Sequence, residues 1–300
     1  MSVIVPFTLD EAVAALADHP GALVLAGGTD VMVGVNEGHL RLAHTGAPDV
    51  VVAVDRVADL RSWTIDESAR RVTIGAGVTW SELLEEPLAG HLPALAEAAR
   101  TVGSPQIRHA GTLGGNLVTC SPAGDGLPVL AALEAEVHLV SAAGERTLPV
   151  AEFMVGVKRT ALAPGELVRA VSLPLLDGWQ GYAKVGVRNA MVIATASVCL
   201  AVDTPTRSIR IALGSVGPTV LRCGEAEAAA AAGVDWAAAT VTDDVAREVG
   251  ALAAAASRPI DDHRSSAAYR RHAVGVLTGR LLRRAFPGTG TDSETAGGTR

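Results

Sequence analysis

Apolar and polar positions along the chain change period several times, and the changes mark out its elements. Thr8-Leu9-Asp10-Glu11 is a capping box, and Ala12, Val13, Leu16 and Ala17 follow at helical spacing until Pro20-Gly21 stops the run. The short apolar run 22–26 predicts a buried strand that leads into Gly27-Gly28-Thr29-Asp30, and residues 49–54 and 71–76 predict two more. Thr79-Trp80-Ser81-Glu82 is a second capping box, predicting a helix to about residue 86, with another over 93–101. Residues 102–128 are dense in Gly, Ser, Thr, Asn and Pro, which predicts a long functional loop. Beyond it the pattern gives a helix over 128–135, a hairpin of 136–141 and 145–149, and a strand over 166–173 ended by Pro174.

After Asp177-Gly178 the pattern becomes an antiparallel meander of three strands, 182–187, 194–202 and 208–213. Helices over 224–232, 243–256 and 264–285 complete the chain. A domain boundary is therefore expected near 176. Residues 1–176 form one domain of two subdomains split near 55–60, residues 177–286 a second, and the Gly/Thr/Ser-rich residues 287–300 a disordered tail.

Composition narrows the function. Three hundred residues exceed what one core usually holds, and 49% apolar with 19% charged residues describes an ordinary globular protein. A formal charge of -7 argues against a nucleic-acid binder. The positive charge is almost all arginine, Lys158 and Lys184 being the only lysines. Met1-Ser2-Val3-Ile4-Val5-Pro6 does not read as a signal peptide, and no uncharged run is long enough to span a membrane, so a soluble, cytoplasmic protein is expected. Cys120, Cys199 and Cys223 are too far apart for a CxxC-type cluster and read as buried free thiols.

Two glycine-rich segments carry the candidate chemistry. The first is Leu25-Ala26-Gly27-Gly28-Thr29-Asp30-Val31-Met32, where paired glycines let successive N–H groups turn toward one anion and a helix start near Val31 adds its dipole. The second is Gly111-Thr112-Leu113-Gly114-Gly115-Asn116, continuing to Asp125, with Gly103-Ser104 and Gln106 just upstream; its paired glycines too are expected to turn with positive φ and offer free amides. Neither is a G-x-G-x-x-G fingerprint or a phosphate-binding P-loop. His44, His91, His109, His138, His263 and His272 show no metal-ligand spacing, and Arg270, Arg271, Arg280, Arg283 and Arg284 read as solvating the last helix. No nucleophile–base arrangement is recognisable. The residues alone therefore describe a two-part α/β protein that binds a phosphorylated cofactor, with no acid, base or nucleophile of its own.

The sequence resembles the FAD-binding medium subunits of the molybdenum hydroxylases, the xanthine dehydrogenase and carbon monoxide dehydrogenase family, over about residues 3–286. The resemblance is carried by Pro6-Phe7-Thr8-Leu9-Asp10-Glu11-Ala12, Ala26-Gly27-Gly28-Thr29-Asp30 and Thr112-Leu113-Gly114-Gly115-Asn116 with Ser121-Pro122 and Asp125. Further matches are Phe153 with Gly156 and Lys158-Arg159-Thr160, Tyr182-Ala183-Lys184 with Arg188, and Pro259-Ile260-Asp261-Asp262 with Tyr269-Arg270.

The resemblance implies an α+β fold of the p-cresol-methylhydroxylase type, two α+β subdomains with FAD between them, followed by a domain with a three-stranded antiparallel sheet and helices. It implies that Leu25, Ala26, Gly27, Gly28, Thr29, Asp30, Val31 and Met32, with Thr112, Leu113, Gly114, Gly115 and Asn116, hold the diphosphate. Asp125 would meet the ribose or adenine end, Val102 and Val168 would flank the flavin, Gly103 would join the same cofactor cleft, and Lys184 would lie near the flavin's polar edge. Val102 stands where some relatives carry an aromatic residue. Partner subunits would carry molybdopterin and [2Fe-2S] clusters, and FAD here would pass electrons to NAD, oxygen or a quinone. Two other readings compete: a stand-alone FAD-dependent oxidoreductase, and a non-catalytic flavin-binding or assembly protein.

Overall fold

The computed structural model describes residues 2–36 and 49–288. His44 and residues 289–300 of the expected tail lie outside the described residues.

The first unit is a parallel sheet with a helix against it. Strand β1 (Ser2–Ile4), helix α1 (Leu9–Asp18), β2 (Leu23–Leu25), α2 (Val31–Asn36) and β3 (Val50–Ala53) follow in order, and the strands pair as β1-β3-β2. The Thr8 box forms with both reciprocal bonds, and Ala12, Ala15 and Leu16 face Val52, Val54 and Leu60 in a small core.

The second unit opens with β4 (Trp63–Asp66) and β5 (Arg71–Gly75), then α3 (Leu88–His91), α4 (Pro93–Thr101), α5 (Pro105–Ala110), α6 (Leu113–Thr119) and α7 (Gly126–Ala132). It closes with β6 (Glu136–Ser141), β7 (Gly144–Pro149), α8 (Val150–Phe153), β8 (Met154–Gly156), β9 (Arg159–Thr160) and β10 (Leu167–Pro174). The sheet order is β4-β5-β10-β6-β7, antiparallel throughout, so a late strand sits at its centre. Its helix-covered face holds the largest core, with Val72, Ile74, Val137, Leu139 and Val171 under Leu95, Leu117 and Leu130.

Residues 102–128 correct the expectation of a loop. Two short helices, α5 and α6, occupy the stretch and α7 begins at its end, because Ser104 and Thr112 cap α5 and α6, Pro105 opens α5, and Leu113 and Leu117 are fully buried. The second capping box also falls short of its expectation. Thr79 and Glu82 exchange the reciprocal bonds, but only one tight turn of helix, Glu82–Leu84, follows before Pro87.

The third unit is the meander β11 (Gln180–Val185), β12 (Ala196–Asp203) and β13 (Ser208–Gly214), joined by β14 (Leu221–Arg222). Its sheet therefore has four strands where three were expected; β14 is only two residues long, too short to leave an alternating pattern. Helices α9 (Gly224–Gly233), α10 (Asp243–Ala256) and α11 (Ala267–Ala285) pack on it. Buried Arg270 of α11 donates to the carbonyls of Thr195 and Ser215 and pairs with Asp262, tying the helix to the end of the sheet where β12 starts and β13 stops. Gly288 does not begin a free tail, since its N–H donates to the Ala239 carbonyl.

Candidate functional site

The first glycine segment leaves the end of β2 and enters α2. Leu25 closes the strand, Ala26 to Asp30 form the connection, and Val31 and Met32 open the helix. Gly28 adopts φ +68°, a left-handed conformation that a residue with a Cβ rarely tolerates. Met32 N–H donates to the Gly28 carbonyl, whereas the N–H groups of Gly27, Gly28, Thr29, Asp30 and Val31 donate to no described residue. A row of consecutive free amides at a turn is a nest for an anion.

The second segment is placed against the first. A Cβ on Gly27 would stand 1.6 Å from the Ala110 carbonyl oxygen, and one on Gly111 would stand 3.3 Å from Thr29 Oγ1. The backbones of the two segments thus touch, which the sequence did not reveal. The conformation of the second segment differs from expectation. Gly114 and Gly115 lie in α6 and are not among the residues with positive φ. Nor are their amides free: Leu113 N–H donates to Val78, Gly114 N–H to Ala76, Gly115 N–H to Thr112 Oγ1 and Asn116 N–H to Thr112. What this segment leaves unpaired is an acceptor, the buried Oδ1 of Asn116.

Val102 ends α4, and Gly103 follows it at φ +43°. Arg108 Nη1 holds both of their carbonyls at 3.1 Å, a role with no motif to announce it. Val168 lies in β10 with its side chain in the main core. Asp125 and Lys184 face each other across the junction of the second and third units. Lys184 Nζ donates to Asp125 Oδ2 at 2.8 Å, to the Thr101 carbonyl at 3.0 Å and to the Val192 carbonyl at 3.1 Å, and Tyr182 Oη donates to Asp125 Oδ1 at 2.8 Å. Both carboxylate oxygens and all three ammonium protons are therefore engaged inside the protein. Burial pushes the Asp125 carboxyl above its ordinary range, against the pull of Lys184 and Tyr182.

The three cysteines are all buried and unbonded. Burial raises each thiol, that of Cys223 to about 12, so none is a nucleophile near neutral pH. Among the described residues no three His, Cys, Asp or Glu side chains converge as a metal site.

The arrangement can therefore bind an anion but holds no reactive group of its own. Comparison with known proteins gives it a lineage. Residues 1–176 match the model of the FAD binding domain in molybdopterin dehydrogenase, and residues 182–285 that of the CO dehydrogenase flavoprotein C-terminal domain. The chain belongs to the FAD-binding molybdopterin dehydrogenase family.

Relatives in this family cover it almost end to end. The glyceraldehyde dehydrogenase medium chain of Sulfolobus acidocaldarius is 31% identical over 90% of this chain and 93% of its own. A putative xanthine dehydrogenase FAD-binding subunit of Escherichia coli is 29% identical over 94% and 95%. Among solved structures, carbon monoxide dehydrogenase from Hydrogenophaga pseudoflava contains a chain that superposes with a TM-score of 0.82 at 29% identity, over 96% of this chain and 97% of that one.

Proposed function

We propose that this chain is the FAD-carrying electron-transfer subunit of a cytoplasmic molybdenum hydroxylase. The observation that carries the reading is the row of amides from Gly27 to Val31 that donate to no described residue, in a family whose first domain binds FAD. These residues fit a diphosphate: consecutive N–H groups with no described acceptor stand in one turn, and Gly28 supplies its left-handed geometry. The second segment fits the cofactor in a different way. Asn116 Oδ1 is a buried acceptor in need of a donor, which a cofactor hydroxyl supplies. Thr112 and Gly114 hold the segment in place instead of touching phosphate. Asp125 and Lys184 lock the third unit onto the second, and Val102 with Gly103 forms an adjoining wall that Arg108 keeps fixed.

Bound FAD supplies the exchange between one-electron and two-electron carriers that such complexes require. The other centres belong to other chains. The three cysteines of this chain are buried apart and fall short of the four thiolates of an ordinary [2Fe-2S] cluster, in keeping with iron on a small subunit and molybdopterin on a large one. Electrons leave this chain to NAD, oxygen or a quinone. No described helix is long and apolar enough to cross a membrane, which is consistent with the cytoplasm.

Recovery of the tagged chain from its own cells tests the reading. FAD, iron and molybdenum should co-elute in fixed ratios, whereas a stand-alone oxidoreductase or an assembly protein would bring no molybdenum. Acid precipitation should release all the flavin, because Cys120 Sγ is turned to the Gly156 carbonyl at 3.6 Å and cannot form a thioether. Yellow colour left in the pellet would contradict non-covalent binding.

A further inference from the structure

We propose that the β8–β9 hairpin and the exposed flank of α6 form the docking face for the iron–sulfur subunit. The inference rests on the function proposed above and adds the surface through which electrons enter.

Helix α6 begins at Thr112, in the candidate site, and ends at Cys120, where the hairpin is pinned. Cys120 closes the helix in the left-handed conformation, its carbonyl accepts from Lys158 N–H at 3.0 Å, and its Sγ faces the Gly156 carbonyl. The hairpin leads in through Phe153 and Met154, which are buried in the main core. Beyond them the hairpin carries apolar side chains that face solvent: Val155 and Val157 are each 53% exposed, and Val118 on α6 is 40% exposed. Val155 lies in β8 and Val157 in the turn that follows it, and residue 118 lies on the same side of α6 as Gly115. Three β-branched apolar side chains thus meet solvent around a hairpin whose second strand packs on α6, and no described residue buries them.

Charge and position choose the occupant. Lys158 and Arg159 are exposed at the turn and have no ion-pair partner among the described residues, with Glu152 the one acid between residues 146 and 165. In a chain of net charge -7 this is a local cationic tip around an apolar centre. Four thiolates, two sulfides and two irons leave a [2Fe-2S] centre negative in both redox states, so a partner presenting its cluster edge is complementary. Position agrees. The seven residues of α6 span about 10 Å, so a partner seated at its C-terminal end lies close to whatever Thr112 and Asn116 adjoin.

The test uses the complex recovered through a tag on this chain, with iron, molybdenum and FAD counted per chain. Val155→Asp with Val157→Asp should lower iron about tenfold or more while FAD stays complete, since neither side chain touches the amide row. Lys158→Glu with Arg159→Glu should weaken iron retention more as salt is lowered, the reverse of the parent, because repulsion replaces attraction. Full FAD and an unchanged far-ultraviolet dichroism spectrum show that each variant is folded. An unchanged iron-to-FAD ratio in both variants overturns the proposal. Loss of molybdenum with iron retained also overturns it and assigns the face to the large subunit. A parent complex containing FAD but no iron would overturn the functional reading itself before any variant is made.

Discussion

A Cβ on Gly27 would stand 1.6 Å from a backbone oxygen, a contact that no side-chain rotation relieves. The same atom on Gly115 would meet only the Thr112 hydroxyl at 3.0 Å. From sequence the two glycine pairs looked equivalent, yet the structure makes them unequal. Gly27→Ala must push the first segment off Ala110 and so spread the amide row. It should weaken FAD at least about tenfold, on the scale of one lost charge-assisted hydrogen bond. Gly115→Ala, whose amide is already spent on the cap, should leave affinity within about threefold of the parent. Titration of FAD fluorescence against each apoprotein checks the order, and equal losses would return the diphosphate to the second segment.

Helix α6 shows how an element can contradict its own composition. Two glycines, an asparagine and a threonine in seven residues are poor helix formers, and so the stretch read as a loop. Tertiary packing reverses the balance: Leu113 and Leu117 are fully buried, Thr112 caps, and Gly114 lies so close to β5 that a Cβ would come within 2.5 Å of the Ala76 Cβ. Gly114→Ala should therefore cost about 1–3 kcal/mol by overpacking. Gly115→Ala, on the open side, should be neutral or stabilising by about 0.5 kcal/mol through helix propensity. Urea unfolding followed by dichroism distinguishes them, and a Gly114→Ala protein as stable as the parent would refute the packing argument. By contrast α1 and α10 were legible at the residue level. Thr8 forms the box its spelling promised, and α10 runs over 243–256 as its periodicity required, because local signals and burial agree there.

The second and third units are joined by a buried polar contact that no local pattern announces. Lys184 and Asp125 are 59 residues apart, and their side chains are 7% and 10% exposed. Removing one member of such a pair strands the other, at about 3–5 kcal/mol. Lys184→Met leaves the Asp125 carboxylate with only Tyr182, and protonation is its escape. The Asp125 carboxyl already sits above its usual range, so the variant raises it further above its unfolded value. A raised folded pKa contributes stability that is present at low pH and lost as pH rises through that value. The loss of thermal stability in Lys184→Met should accordingly be greater at pH 8 than at pH 5. A deficit independent of pH would mean that the lysine acts through packing alone.

The sequence by itself determined the elements with strong local signals, the change of pattern near residue 176, and the family, through the spelling of the two glycine segments. It determined this much because capping, turn geometry and alternation act over a few residues. Tertiary structure alone decided that Gly27 abuts Ala110, that the second glycine pair is helical with its amides already used, and that Asp125 and Lys184 satisfy each other. It also decided that a two-residue strand, β14, joins the C-terminal sheet. Most of these depend on atoms distant in the chain, as in the Gly114 amide held by Ala76 and the Lys184–Asp125 pair, whose contacts outweigh the local preference of the residues that make them.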